Sequence, residues 1–295
     1  MLPWYFYVQL LINGLSLGSI YAVIALGFTL IFSVLKFSNF SHGGIMVMGA
    51  YAAFVLNRNT GMGFIPMMLL TAIIGALLSC VVQFIGFERL RRKQGNDMLL
   101  FVSSATLGLL LQNIIVINFA ARFFAFPVFF RPMFFNIGPV TVATTEVVMF
   151  AFSAVCIVLL MIMLYKTRVG IAIRAMALDS NTVKLMGINV SVMIAIAFLI
   201  SGALGAVAGV FSGMTFVLQP QLNELVLKGM IASVLGGLGN ISGALFGGIL
   251  LAMMEIFLTY FVGGGLMPAV VFIFAMVFLW LRPQGIAGKF TLEKV

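Results

Sequence analysis

The chain reads as an all-α protein that crosses a membrane many times, on three observations. Hydrophobic residues make up 63% of its 295 positions and charged residues only 8%. Apolar runs over 65–87, 99–119, 147–165 and 266–281 reach or approach the roughly 20 residues that a transmembrane helix needs at about 1.5 Å each. These runs are continuously apolar and do not alternate with period two, which selects helices over a barrel.

Basic residues set the thread. Lys36, the cluster Arg89, Arg91, Arg92 and Lys93, the group Lys166, Arg168, Arg174 and Lys184, and the tail residues Arg282, Lys289 and Lys294 fall on one side. Arg58, Arg122 and Arg131 fall on the other. The richer side is expected to be cytoplasmic, with the N-terminus outside and the C-terminus inside. Crossings under that constraint fall near 7–34, 41–57, 64–87, 98–120, 146–165, 191–217, 225–238, 242–262 and 265–281, about nine transmembrane helices. The segment 225–238 is short, but were it only to dip in and return, the basic tail would end outside. The interruptions 121–145 and 166–190 are too brief for a soluble domain, so residues 1–295 read as a single transmembrane domain. The N-terminus lacks a basic region and a small-residue cleavage site, so the first run is expected to stay as a span.

The net charge of +9 sits in the short loops, where it reports topology and not nucleic-acid binding. Cys80 and Cys156 both lie within spans without paired spacing and read as small buried residues. With His42 as the one histidine and no HExxH, neither a zinc site nor a haem pair is expected. No GxxxxGK[ST] occurs, so the chain is not expected to hold nucleotide phosphates or any cofactor itself.

Charges within spans are costly and therefore informative. Two stand out. Glu255 lies well inside 242–262, either hydrogen-bonded to a neighbouring helix or lining a water-filled path. Lys228 follows Glu224 by four residues, the spacing of a local helical ion pair. Neither supplies the relay of acids and histidines that a proton-coupled carrier needs, so the chain is expected to draw energy from elsewhere. His42 falls at a helix start in Asn39-Phe40-Ser41-His42-Gly43-Gly44, where Asn39 or Ser41 could cap the helix. Glycines recur every four residues at Gly205, Gly209 and Gly213 and again at Gly239, Gly243 and Gly247, lining one helix face for close packing within the subunit or at a dimer seam.

The segment 166–189 is the least lipid-like part of the chain. It reads as a helix over 170–178 and a second, capped by Asp179-Ser180-Asn181 and closed by Gly187, either a docking surface or an amphipathic loop on headgroups. Here a resemblance becomes specific. Thr167-Arg168-Val169-Gly170, Arg174-Ala175, Asp179 and Leu185-Met186-Gly187-Ile188-Asn189-Val190 resemble the ATPase-coupling loop of permeases in branched-chain amino acid ABC importers. The stretch Asn13 to Ala22, Asn39-Phe40, His42-Gly43, Met48-Gly49-Ala50-Tyr51 and Val234 to Gly239 with Gly243-Ala244 are similar to the LivH-type subunit of that family.

The resemblance implies a type II-like permease working with a LivM-type second permease or a second copy of itself, two cytoplasmic ATPases that hold ATP and magnesium, and an extracytoplasmic solute-binding protein, in a bacterial-type inner membrane. It implies coupling through Thr167, Arg168, Gly170, Arg174, Asp179, Gly187 and Asn189. Asn13, Tyr21, Asn39, His42 and Glu255 are the expected pathway residues, and Arg58, Arg122 and Arg131 the expected docking residues for the binding protein. Gly44 departs from an acidic residue common in the family, and the outer loop is unusually rich in phenylalanine, from Phe123 to Phe135. The family also includes importers of urea, amides and other amino acids. A proton-coupled carrier or channel for a small apolar solute is the alternative, with Glu255 as its coupling site.

Overall fold

A computed structural model describes residues 3–93, 96–120, 122–127, 129–130 and 133–287. Arg131, Lys289 and Lys294 lie outside the described residues.

The longest helix, α1 (Trp4–Leu35), forms the axis of the bundle. From Ser16 to Ile31 its side chains are almost all buried, because neighbours cover it on every side. Its apolar surface is continuous, with no stripe, as expected of a helix surrounded by protein in a membrane. Around it run α2 (Ser41–Thr60), α3 (Phe64–Val82), α4 (Arg89–Arg92), α5 (Asp97–Phe119), α6 (Thr144–Lys166), α7 (Arg168–Leu178), α8 (Ser180–Leu185), α9 (Val190–Thr215), α10 (Leu225–Gly236), α11 (Ile241–Val262) and α12 (Met267–Leu281).

Every segment expected to cross is helical. Six of the resulting helices are long and apolar enough to span by length and composition: α1, α3 continued through α4, α5, α6, α9 and α11. The expected all-helical class needs one correction. Between α5 and α6 the chain forms a hairpin, β1 (Phe134–Ile137) paired antiparallel with β2 (Val140–Ala143) through a turn in which Gly138 takes φ +65°. Gln9 of α1 holds this hairpin from both sides, accepting from Thr141 N at 2.9 Å and donating to Thr141 O at 2.8 Å.

Because α6 joins the hairpin to α7 through 23 residues, the hairpin and the α7–α8 pair lie about 34 Å apart at opposite ends of the bundle. The same reasoning puts α10 at an unusual depth. Its Gly229 packs on Ile24 and its Ser233 shares a hydrogen bond of 2.6 Å with Thr29, both in the second half of α1. So α10 starts near the middle of the bundle. The chain reaches that point from α9 through a bridge between Leu218 and Phe124 and a 3₁₀ turn over Pro220–Glu224. Irregular backbone at such depth is tolerated where protein surrounds it.

Glycines set the helix crossings, since without a hydrophobic drive between helices close backbone packing must hold the bundle. Gly75 of α3 meets the backbone of Gly202 in α9, and Gly209 meets the Met46 carbonyl of α2. Gly205 lies against the His42 ring, Gly213 against the Phe126 ring, Gly243 against the Gly236 carbonyl and Gly247 against the Ala232 carbonyl. Gly205, Gly209, Gly213, Gly243 and Gly247 therefore pack within the subunit. Gly239 does not belong with them: it precedes the N-cap Asn240, outside any helix, and adopts φ +82° in the α10–α11 turn. Its four-residue spacing from Gly243 therefore crosses a turn, where helical periodicity has no meaning.

Candidate functional site

Near the middle of the bundle three helices bring polar groups together. Lys228 Nζ of α10 lies 2.5 Å from Glu255 Oε1 of α11 and donates at 2.9 Å to Tyr21 Oη of α1, while that hydroxyl donates at 2.9 Å to Glu255 Oε2. Tyr21 thus acts as acceptor and donor at once, closing a ring of three. The ammonium also lies 5.3 Å from the centroid of the Tyr21 ring. Side-chain exposure is 26% for Lys228 and 13% for Glu255, so the pair is largely but not fully shielded. The spacing from Glu224 suggested a local pair for Lys228, and the structure corrects this. Glu224 ends the 3₁₀ turn and is exposed, whereas Lys228 belongs to α10 and points to the neighbouring helix.

The other expected pathway residues do not join this ring. Asn13 accepts from Gln9 Nε2 at 2.8 Å and belongs to the hairpin end of α1. Asn39 Oδ1 accepts from Ser41 N at 3.1 Å and Ser41 Oγ at 2.7 Å, which turns the chain into α2, while its Nδ2 is buried without a partner among the described residues. His42 is fully buried, with Nδ1 3.2 Å from Ser201 Oγ and Nε2 unpartnered among the described residues. Glycines 27 and 205 lie against its ring. His42 thus packs between α1, α2 and α9.

At the opposite end from the hairpin, the residues of the proposed coupling loop build two short helices. Thr167 caps α7, its Oγ1 accepting from Gly170 N at 3.1 Å and donating to Met163 O at 2.6 Å. Gly170 sits so close to the end of α6 that a side chain there would meet the Met163 and Leu164 carbonyls. Arg174 stacks on Tyr165, 4.8 Å from the ring centroid, and Arg168 is exposed. Asp179 Oδ2 accepts from Thr182 Oγ1 at 2.5 Å at the start of α8. Gly187 takes φ +81° and ends the pair, and Asn189 Oδ1 then caps α9 through Ser191 N and Val192 N. Lys36, itself left-handed at the end of α1, donates to Ala177 O at 2.5 Å and ties the axis of the bundle to α7. Leu178 and Leu185 are each 89% exposed and Met186 75%, a large apolar tip beyond the bundle.

One cluster escaped the reading of the sequence. Glu88 is 5% exposed, although the charged run around it reads as loop. Its carboxylate accepts from Arg92 Nε at 2.9 Å, Ser191 Oγ at 3.1 Å, Gln83 Nε2 at 3.1 Å and Arg91 Nη2 at 3.2 Å. The cause is a π-helical turn over Gln83–Glu88. At 3.6 residues per turn, positions five apart point about 140° away from each other. The wider turn brings Gln83 and Glu88 to one face, and such turns often occur where a helix carries function. Arg91 Nη2 donates to Ser191 Oγ at 2.6 Å, so this cluster joins α3 and α4 to the start of α9.

The hairpin end holds Arg58, in the last turn of α2, and Arg122, just past α5. Between them the phenylalanine-rich loop turns inward. Phe124 packs on Tyr51, Phe54 and Phe119, and Phe129 and Phe130 pack on Phe64. Next to Phe126 a cavity of about 810 Å³ opens between this loop and the end of α9. Among the described residues no three histidine, cysteine, aspartate or glutamate side chains come together to hold a metal.

Comparison with known proteins adds to this geometry. The family described as the permease component of branched-chain amino acid transport systems matches residues 10–281. The high-affinity branched-chain amino acid transport system permease protein BraD of Pseudomonas aeruginosa is 32% identical, covering 99% of both chains. The corresponding LivH of Escherichia coli is 29% identical over 98% of both. A probable LivH of Methanocaldococcus jannaschii is 25% identical, over 95% of this chain and 92% of its own. Among solved structures, PsaBC from Streptococcus pneumoniae in complex with Fab shares the fold with a TM-score of 0.51 at 13% identity, covering 95% of this chain and 92% of that one.

Proposed function

Since the chain belongs to the permease family of branched-chain amino acid transport systems, we propose that it is the membrane-spanning half of an ATP-driven importer that moves branched-chain or related amino acids inward. The observation that carries this reading beyond the family is the apolar tip of Leu178, Leu185 and Met186, held outside the bundle on two capped helices. Apolar side chains exposed by 89% on two short helices beyond the bundle suit a groove in a partner.

In this reading the tip seats in a cytoplasmic ATPase, and two such ATPases, with ATP and magnesium, flank a pair of permeases. The second permease is a LivM-type chain or a second copy. The hairpin end faces outward, where Arg58 and Arg122 meet a solute-binding protein. The N-terminus is outside, the C-terminus is cytoplasmic and the membrane is the inner one. The nine helical segments all cross, with the 3₁₀ turn and α10 together completing the seventh passage. Closing of the ATPases shifts α7 and α8, and α7 transmits the shift through the Lys36 bond to α1 and through Asn189 to α9. Such bistable rigid-body motion is what a ligand at a distant site can bias.

Tyr21, Lys228 and Glu255 sit where α1, α10 and α11 meet, and a paired, half-shielded charge there offers a polar foothold without binding an amino acid tightly. The chemistry of ATP belongs to partner subunits, and this chain is a transporter subunit, not an enzyme. The test is affinity purification of the tagged full chain from its native membrane in mild detergent, followed by identification of what remains bound. ATPase chains and a second permease are expected. A chain that purifies alone and still transports would overturn the reading.

A further inference from the structure

At the α7–α8 end, two depressions meet. The first, of about 680 Å³, is lined by Arg91, Arg92, Ser180, Lys184, Asn189 and Ser191. The second, of about 450 Å³, runs along α3 and α9 between Val81, Phe84, Ile85 and Val192. Arg92 and Ser191 belong to both, so the basic hollow opens into the apolar groove. Val81, Phe84 and Ile85 are each more than half exposed on the outer surface of a helix long and apolar enough to span a membrane, so the groove offers an apolar face outside the bundle.

Charge in the hollow is unbalanced. Among the described residues the acid where hollow and groove meet is Glu88, which already accepts from Arg91, Arg92, Ser191 and Gln83. Nearby Asp179 is engaged by Thr182. Arg92 uses only Nε on Glu88 and its side chain stays 74% exposed. Arg91 Nη1 is buried and meets no acceptor among the described residues. Lys184 is exposed. A phosphodiester fits these donors, and a chain of methylenes fits the groove beside them.

We infer that the basic hollow and the apolar groove joined at Arg92 and Ser191 form a binding site for an anionic phospholipid, headgroup against Arg91, Arg92 and Lys184, acyl chain along Phe84 and Val192. A free phosphate would leave the groove exposed, and a zwitterionic lipid would leave the cationic excess unmatched. The site lies where α3 leaves its apolar stretch, so it holds for either orientation of the chain. A lipid seated there would brace α3, α4, α8 and the start of α9, next to the segment that docks the proposed partner.

The experiment is native mass spectrometry of the purified full-chain complex equilibrated with phosphatidylglycerol or phosphatidylcholine of identical acyl chains, with inorganic phosphate as a competitor. Wild type should retain phosphatidylglycerol in preference. The double variant Arg92→Gln, Lys184→Gln should lose roughly tenfold to thirtyfold of that binding, the loss expected for two basic side chains facing an anionic headgroup. Arg92→Lys, Lys184→Arg should keep it, which separates charge from folding. Ala195 of α9 also lines the groove; Ala195→Phe, which fills it, should reduce binding as well, and inorganic phosphate should not displace the lipid. Equal retention of both lipids by wild type, or unchanged binding in the Gln variant, would overturn the site. So would a Gln variant that loses only the ATPase chains, because the hollow would then be a protein contact.

Discussion

Lys228 reaches from the first turn of α10 to Glu255 on α11, Nζ 2.5 Å from Oε1, and the Tyr21 hydroxyl bridges the two. Removing one partner of such a pair strands the other charge, whereas removing both does not. Lys228→Met should therefore destabilise by about 2 to 4 kcal/mol, less than a fully dry pair because the lysine retains 26% exposure. Adding Glu255→Gln to it should recover most of the loss. Thermal unfolding in a single detergent reads both, and additive losses would mean the pair contributes nothing as a pair.

The proposed docking tip gives a second expectation. Leu178→Asp with Leu185→Asp should leave the chain inserted and as heat-stable as wild type, since both side chains are 89% exposed. Substrate-stimulated ATP hydrolysis by the complex should fall by about tenfold or more, the loss typical of a buried hot spot in an interface. Gly187→Trp should do the same, because φ +81° excludes a bulky residue and tilts α8. Arg174→Glu removes the stack on Tyr165 and reverses a charge, with the same result. Full stimulation in all three variants would remove the loop from the interface.

Glycine substitutions separate the packing roles. At Gly75 a methyl group would meet the Gly202 carbonyl and the Ala206 side chain, so Gly75→Ala should cost about 1 to 3 kcal/mol. Gly239→Ala has open space but a left-handed φ, and should cost about 1 kcal/mol. Gly264→Ala meets nothing within 4 Å and should stay within about 0.5 kcal/mol of wild type. Unfolding midpoints in that order support the crossing of α3 and α9. A tolerated Gly75→Ala would contradict it.

At the hairpin end, reversing Arg58 and Arg122 to glutamate should weaken binding of the solute-binding protein, most strongly at low salt where exposed charges are least screened. Binding measured across ionic strengths decides this, and identical curves for wild type and variant would exclude both arginines.

Much of the molecule was legible because membranes constrain sequence so strongly. Long apolar runs marked the helices, and Asp179 and Gly187 marked the start and the end of α8 through ordinary capping chemistry. What failed depended on contacts that spacing does not encode. Lys228 chose a partner 27 residues away over one four residues away, because Glu224 ends a 3₁₀ turn and is exposed whereas Glu255 faces Lys228 from α11. Glu88 passed for loop since the span was ended at Phe87, and a π-helical turn leaves no mark on a 3.6-residue period. The Gly237-Leu238-Gly239-Asn240 run did carry a stop and a cap, a stronger signal than the spacing of Gly239 from Gly243. The β1–β2 hairpin lies within 121–145, an interruption between spans, and the Gly138-Pro139 turn between Ile137 and the β-branched run Val140-Thr141-Val142 was the signal that could have marked it.

The most direct measurement is uptake of a branched-chain amino acid into vesicles holding the reconstituted complex with its binding protein, with ATP and a proton gradient supplied separately. The account predicts accumulation that requires ATP, ignores the gradient and survives Glu255→Gln in large part, since an ATP-driven cycle requires no proton exchange through this chain. Accumulation that follows the gradient without ATP, and vanishes in Glu255→Gln, would contradict it.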